Sequence, residues 1–445
     1  MFKFQEGFYS DVRIENRFTT QIAFRDGKLE ESKSSVVKKA FIRVFDGTMW
    51  YYASTYRVDD LQGELDKLYL NATPNPAIGE NATVKRITPH RAEVMKFASC
   101  SVKDVPIAQK QRLLTDNMSY LNSSEYIRMT MASYADRYSE MEFYSSKGAS
   151  LHYDFQLCGV SFGYSLANET DNFSNAFRKT KDKFEDLTVT EEELKACVAE
   201  GENYLLNAKP VQPGNYPVIL SPETAGVFAH ESFGHKSEAD FMIGDETMKK
   251  EWTIGKQVGS KILSIYDSGA GEGSGYCPFD DEGNAAGKVY LIRNGVLTGR
   301  LHSATTAAEL DEQPTGNARA IDCNFEPIVR MTSTVIEAGD QTVDELFAGI
   351  EHGYFIKTYK HGSGMSTFTI APLLAYEIVN GKIGNPVKIA VITGNVFETL
   401  NLIEGLSDQT EVISSIMGGC GKMEQMPLPV SFGGPYVKIS KMTVQ

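Results

Sequence analysis

At 445 residues, 42% of them apolar and 23% charged, the chain is long enough for two or three domains with cores of their own. Its formal net charge of −14 argues against a nucleic-acid surface, because binding phosphates takes clustered Lys and Arg. No apolar run approaches the about 18 residues of a helical membrane span, no signal-peptide core follows Met1, and six scattered cysteines fit reduced thiols in the cytoplasm.

The pattern predicts an α+β protein. An N-terminal mixed α/β domain is expected over residues 1–205, and a β-rich, mostly antiparallel catalytic domain over residues 206–445. In the first, Asp26-Gly27 and Asp46-Gly47 sit between apolar or aromatic stretches and read as hairpin turns. Phe41, Val44, Trp50, Tyr51 and Tyr52 fall on the strands around the second turn. A helix is expected near Asp59 to Leu70. The charged run from Arg178 to Glu185 reads as an exposed loop or linker. Thr190 and Glu193 form a capping box for a helix with Leu194, Cys197 and Val198 in register, which makes Cys197 a structural residue.

The second domain begins with a short buried strand, Pro217 to Leu220. Ser221 is a good N-cap and Pro222 fits the first helical position. Ala225, Val227, Phe228 and Ala229 continue as an apolar helix, a rigid mount for a site. Further along, Lys261 to Tyr266 reads as a strand. The glycine cluster Gly269 to Gly275 fits no phosphate loop in register, and Glu272 would repel a phosphate; it reads as a mobile loop able to cover a site. Asn294-Gly295 and Asn380-Gly381 are hairpin signals. Thr342 and Glu345 cap a helix with Leu346, Phe347 and Ile350 on its apolar face and Gly353 as its stop. His361, in a glycine-rich loop, reads as exposed and non-catalytic.

The run His230-Glu231-Ser232-Phe233-Gly234-His235 continues directly from the apolar helix that ends at Ala229. Two imidazoles and a carboxylate directly after the first are the inventory of a zinc peptidase, two neutral nitrogen ligands and a general base. Histidine is otherwise scarce, with 7 in the chain. The common zinc-peptidase spacing is i, i+4; here it is i, i+5, about 140° apart on a regular helix. A shared ion therefore requires a π-type widening or a helix break between Phe233 and His235, which Gly234 would ease. The alternative is a core helix whose histidines bond backbone carbonyls.

A catalytic zinc usually takes a third protein ligand. Candidates are Cys100, Cys158, Cys197, Cys277, Cys323, Cys420, His90, His152, His302, His352 and His361, of which Cys197 reads as structural. Cys420 stands out in Gly418-Gly419-Cys420-Gly421-Lys422, where the glycines allow close approach and Lys422 would favour the thiolate. A buried cysteine in a tight turn fits the same setting.

Several further segments carry a resemblance: DDEG at Asp280 to Gly283, PTGNAR at Pro314 to Arg319, RMTST at Arg330 to Thr334, CGK at Cys420 to Lys422, and VSFGGP at Val430 to Pro435. With HESFGH at 230–235, their order and spacing resemble the TldD/PmbA family, the TldD-type metallopeptidases once called modulators of DNA gyrase. The resemblance covers nearly the whole chain and is strongest from Pro217 onward. The TldD branch of that family keeps H-E-x-x-x-H and the PmbA/TldE branch has lost it, so this chain resembles the active branch. The resemblance implies Cys420 as third metal ligand beside His230 and His235, Zn2+ as the metal, and Glu231 as general base. It also implies a dimer, either a homodimer or a heterodimer with a PmbA/TldE-type homologue, acting on short unstructured peptides.

Two functions are then expected from the sequence. One is a zinc endopeptidase in which water at the fourth metal position loses its proton to Glu231, which passes it to the leaving amine. The other is a non-hydrolytic peptide-binding or peptide-maturation partner using the same fold. A substrate is expected to lie extended along a sheet edge.

Overall fold

The computed structural model describes residues 2–445. The chain opens with a long antiparallel hairpin, β1 (Tyr9–Arg25) and β2 (Lys28–Phe45). Asp26 and Gly27 join them, both at positive φ (46° and 77°), the conformation that a tight hairpin needs and that Asp-Gly tolerates. The predicted turn at Asp46-Gly47 leads into β3 (Trp50–Thr55), and a helix at Leu61–Tyr69 comes next, N-capped by Asp60. β4 (Ile127–Ser145) and β5 (Ser150–Ala167) complete a sheet in the order β3-β2-β1-β4-β5, with Arg91–Val94 and β6 (Asn172–Lys181) both on β5.

The chain's four longest strands, 17 to 19 residues, all lie in this first half. The sequence conceals them because the outer part of β2, Lys28 to Lys38, is exposed on nearly every residue and lacks a two-residue apolar period. The charged run at Arg178 to Glu185 is also not a linker. Arg178 to Lys181 end the edge strand β6, where cationic side chains discourage further pairing, and the chain turns only from Asp182. The capping box at Thr190 and Glu193 opens α1 (Glu191–Asn207), which buries Leu194, Val198, Tyr204 and Leu205.

A second sheet takes over from residue 209. At its centre β7 (Gly214–Leu220) lies between the final strand, antiparallel, and β8 (His352–Gly364), parallel. β9 (Thr367–Val379) and β10 (Lys382–Lys388) continue antiparallel from β8, turning at Asn380-Gly381 with φ 49° and 76°. On the other flank, Ser333–Ile336, Ile265–Ser268, Lys288–Arg293 and Val296–Leu297 extend the sheet. Asn294-Gly295 turns as expected. The strand predicted from Lys261 begins only at Ile265, because Leu263 N–H folds back to the Ser260 carbonyl in a turn. The helix capped by Thr342 ends at Ala348, one turn earlier than Gly353, which is already in β8.

Gly269 to Gly275 is pinned rather than free. Gly273 N–H donates to Asp182, Ser274 N–H to Ser414, and Gly275 N–H to Ser431, so Gly273 to Gly275 form a buried turn while Ala270 to Glu272 stay exposed. It therefore serves as a strut between the two halves. Buried ion pairs add to that joint: Arg13 with Asp281 at 2.7 Å, Lys39 with Asp322 at 2.6 Å, and Arg43 with Glu282 at 3.4 Å. A hydrophobic core also crosses it, holding Leu194 and Val198 together with Ile219, Phe355 and Tyr376. No described helix is long and apolar enough to cross a membrane.

α2 (Pro222–Ala229) packs on the final strand, here β13 (Ser431–Val444), at close range. A Cβ on Gly226 would lie 2.6 Å from the backbone nitrogen of Gly433. Gly226→Val should cost about 1–3 kcal/mol by overpacking, read by denaturant unfolding. Gly271→Ala, with nothing within 4 Å of its Cβ position, should leave the midpoint unchanged.

Candidate metal centre

β7 delivers the chain directly to the site. Ser221 closes the helix start, accepting from Thr224 N–H at 3.2 Å while its hydroxyl donates to the Lys357 carbonyl at 2.6 Å. At His230 the winding widens: His230 to Gly234 form a π-turn, and the His235 N–H donates to the His230 carbonyl. Five residues now complete a turn, so the i, i+5 pair falls on one side, with ring centroids 5.1 Å apart. Gly234 is needed there, since a Cβ would collide with the Met331 sulfur.

Cys420 arrives from the far end of the chain on a small hairpin, β11 (Cys420–Lys422) and β12 (Gln425–Leu428). Its Sγ lies 3.4 Å from Nε2 of His235. One ligand atom each from His230, His235 and Cys420 lie within 4.8 Å of one another, the one such His/Cys/Asp/Glu group found among the described residues. Tetrahedral zinc with thiolate and imidazole ligands requires an S···N separation of about 3.5 Å. The donor set therefore fits such an ion, and the buried Nδ1 of His230 has no hydrogen-bond partner within the protein. The other cysteines and histidines stay apart. His302, for example, is held between Thr306 at 3.1 Å and Glu312 at 2.9 Å, and His361 is exposed.

The charges are arranged for ligation. Burial pushes the Cys420 thiol up, but the charges and hydrogen bonds of His230 and His235 outweigh it and bring it down to about 5. Burial opposes charge on His235, yet its bonds to Cys420 and Glu238 raise it to about 10. Lys422 does not play the part its position suggested. Its ammonium is held by Asp240 at 2.7 Å, Glu238 at 3.1 Å and the Val329 carbonyl at 2.9 Å, and the histidines stabilise the thiolate.

The sequence reading missed Glu238. This fully buried carboxylate takes Nδ1 of His235 at 3.1 Å, which orients the ring and turns Nε2 toward Cys420. Burial pushes Glu238 up, and His235 and Lys422 pull it down further than burial raises it. Its only sequence signal is a glutamate three residues past the second histidine. Glu231 remains outside the ligand cluster, 3.9 Å from Nε2 of His235, and burial raises its carboxyl despite both imidazoles.

Comparison with known proteins gives the family. A model for the PmbA/TldA metallopeptidase C-terminal domain matches residues 213–445, and one for PmbA/TldA metallopeptidase domain 1 matches residues 10–72. The chain belongs to the PmbA/TldA metallopeptidase family. It is 31% identical to a protein of Methanothermobacter thermautotrophicus named metalloprotease, across 98% of this chain and 95% of the relative. It is 28% identical to a zinc metalloprotease TldD homolog of Saccharolobus solfataricus, across 98% and 96%. The fold is shared with a candidate DNA gyrase modulator from Thermotoga maritima, with TM-score 0.79 and 18% identity over 99% of this chain and 96% of that one. It is shared also with TldE from Thermococcus kodakarensis, with TM-score 0.72 and 15% identity over 98% and 96%.

Residues of the other segments singled out in the sequence brace the hairpin of Cys420 or the loops beside it. Arg330 donates to the Cys420 carbonyl at 2.8 Å and to the Gln425 carbonyl at 3.2 Å. Arg319 donates to the Met331 and Pro429 carbonyls. Asp267, wholly buried, accepts from Thr332, Thr334 and Asn317. Asp280 accepts the N–H groups of Glu282, Asn284 and Ala318. Arg319, Arg330 and Asp280 act on backbone groups, whereas Asp267 also binds the side chains of Thr332, Thr334 and Asn317, so these segments hold scaffold rather than ligands.

Glu238→Gln keeps the shape but weakens the hold on His235. Its zinc affinity should fall about 10- to 100-fold, measured by competition with a chromogenic chelator on protein shown to be folded.

Proposed function

We propose that the chain is a zinc-dependent endopeptidase of the H-E-x-x-x-H type acting on short or unfolded peptides, with His230, His235 and Cys420 as ligands and Glu231 as general base. The observation that carries this is the division of labour in the cluster: three soft or borderline donors converge, while the adjacent carboxylate stands beside them without joining them. A zinc ion bound there supplies Lewis acidity, polarising a carbonyl and acidifying water. Glu231 takes the proton of the attacking water and returns it to the departing amine. Its raised carboxyl brings it nearer to the range in which both exchanges are easy.

The setting suits an extended chain. β8 is paired with β7 only through Tyr354 to Ile356, and the Ile356 and Lys357 carbonyls then serve Ser221. From Thr358 to Gly364 no described strand pairs with that edge, and this length runs past Glu231. Gly362 and Gly364 face Glu231 without side chains: a Cβ on them would lie 3.1 Å from its Cγ and 2.7 Å from its carbonyl oxygen. A peptide adding a strand here is read by its backbone, which predicts broad sequence tolerance.

The proposed unit is two domains meeting near residues 205 and 206, located in the cytoplasm and working as a homodimer or with a PmbA/TldE-type homologue. A non-hydrolytic peptide binder would use the same edge, and one variant separates the two. Glu231→Ala should keep zinc and peptide affinity while kcat falls about 10²- to 10⁴-fold. A variant that still performs the cellular role without cleavage would favour the binder.

A further inference from the structure

Tyr359 faces the site because β8 is irregular. Side chains of a regular strand alternate, so Tyr359 and Gly362 would point to opposite faces. In β8 the partners run Tyr359 with Pro372, His361 with Ala371, Gly362 with Ile370 and Gly364 with Phe368. Lys360 is thus an extra residue, a bulge that resets the alternation. Pro372, Ile370 and Phe368 lie two apart on β9, so Tyr359, Gly362 and Gly364 share one face, the face on which Gly362 and Gly364 meet Glu231.

The ring is held in place by the wall of the cleft. It stands edge-on to Phe432 at 6.2 Å, and Phe432 in turn lies 6.0 Å from the His230 ring. The residue is half-buried. Burial raises its hydroxyl, the charges of Glu223 and Glu231 raise it further, and Arg178 opposes them. The phenol thus feels the Glu231 charge without being hydrogen-bonded to it, and burial favours its protonated, donor form.

We propose that Tyr359 is a catalytic residue whose hydroxyl donates a hydrogen bond to the scissile carbonyl oxygen as that oxygen gains negative charge. No proton is transferred in this step; the donor stabilises charge that develops in the transition state. The inference rests on the peptidase reading above. A thiolate in the ligand set makes a bound ion a weaker electrophile, so a second donor on the oxygen counts for more. A bulge beside a site commonly re-aims one side chain, and here it turns Tyr359 to the face that Gly362 and Gly364 present to Glu231.

Tyr359→Phe removes only the hydroxyl and keeps the packing on Phe432. With zinc content and unfolding midpoint matched to wild type, kcat on a short peptide should fall about 100-fold or more with KM nearly constant. Affinity for a phosphinic peptide, which mimics the tetrahedral state, should fall at least about 10-fold while affinity for the parent peptide holds. Equal discrimination between the two peptides by wild type and Tyr359→Phe, with unchanged kcat, would overturn the role of Tyr359 alone. A zinc-loaded wild type that binds the phosphinic peptide no better than its parent would overturn the peptidase reading and this role together.

Discussion

The site depends on one hydrogen bond of unusual span, from the His235 N–H to the His230 carbonyl. An α-helical bond from His235 would end on the Glu231 carbonyl instead and set the two imidazoles about 140° apart. The π-turn removes that separation, and two local conditions make it possible. Gly234 lets the widened turn press against Met331, and α2 is clamped to β13 through Gly226 and Gly433, so that the extra residue must be absorbed at its end. The widened turn also lifts Glu231 to the rim, under the side-chain-free face of Gly362 and Gly364. One backbone irregularity thus assembles the histidine pair and sets the carboxylate beside it.

The second requirement is a fixed Cys420, and it is met from behind. A hairpin with a three-residue and a four-residue strand has little stability of its own. Arg330 and Arg319 bond its backbone, Lys422 anchors it to Glu238 and Asp240, and Glu238 holds His235. Hairpin and π-turn therefore share a buried carboxylate, which couples the position of the sulfur to the orientation of the ring. This is the sense in which Lys422 matters: it orders the scaffold rather than the thiolate.

Much of this was legible in the sequence. Hairpins at Asp26-Gly27, Asn294-Gly295 and Asn380-Gly381 could be read because their backbone conformations admit few residue types, and the caps at Ser221, Thr190 and Thr342 because short hydroxyl side chains bond nearby N–H groups. The i, i+5 spacing itself demanded a distorted helix. What could not be read depends on contacts distant in the chain. The long strands of the first half carry polar residues on both faces toward their tips, so periodicity is silent there. Gly269 to Gly275 looked mobile because its partners, Asp182, Ser414 and Ser431, lie far away in sequence. Arg330 could be read as part of a motif but not its role, Glu238 showed only as a glutamate three residues past the second histidine, and the bulge at Lys360 left no local signature; each acquires meaning from the partner it meets.

A π-turn and a distant hairpin together form the proposed metal site. Elemental analysis of freshly purified protein beside a Cys420→Ala variant tests it most directly. About one zinc per chain is expected in the wild type and a large loss in the variant, with the fold retained. Full zinc in the variant would remove Cys420 from the ligand set, and no metal in either protein after zinc is supplied would mean that the cluster is not a zinc site.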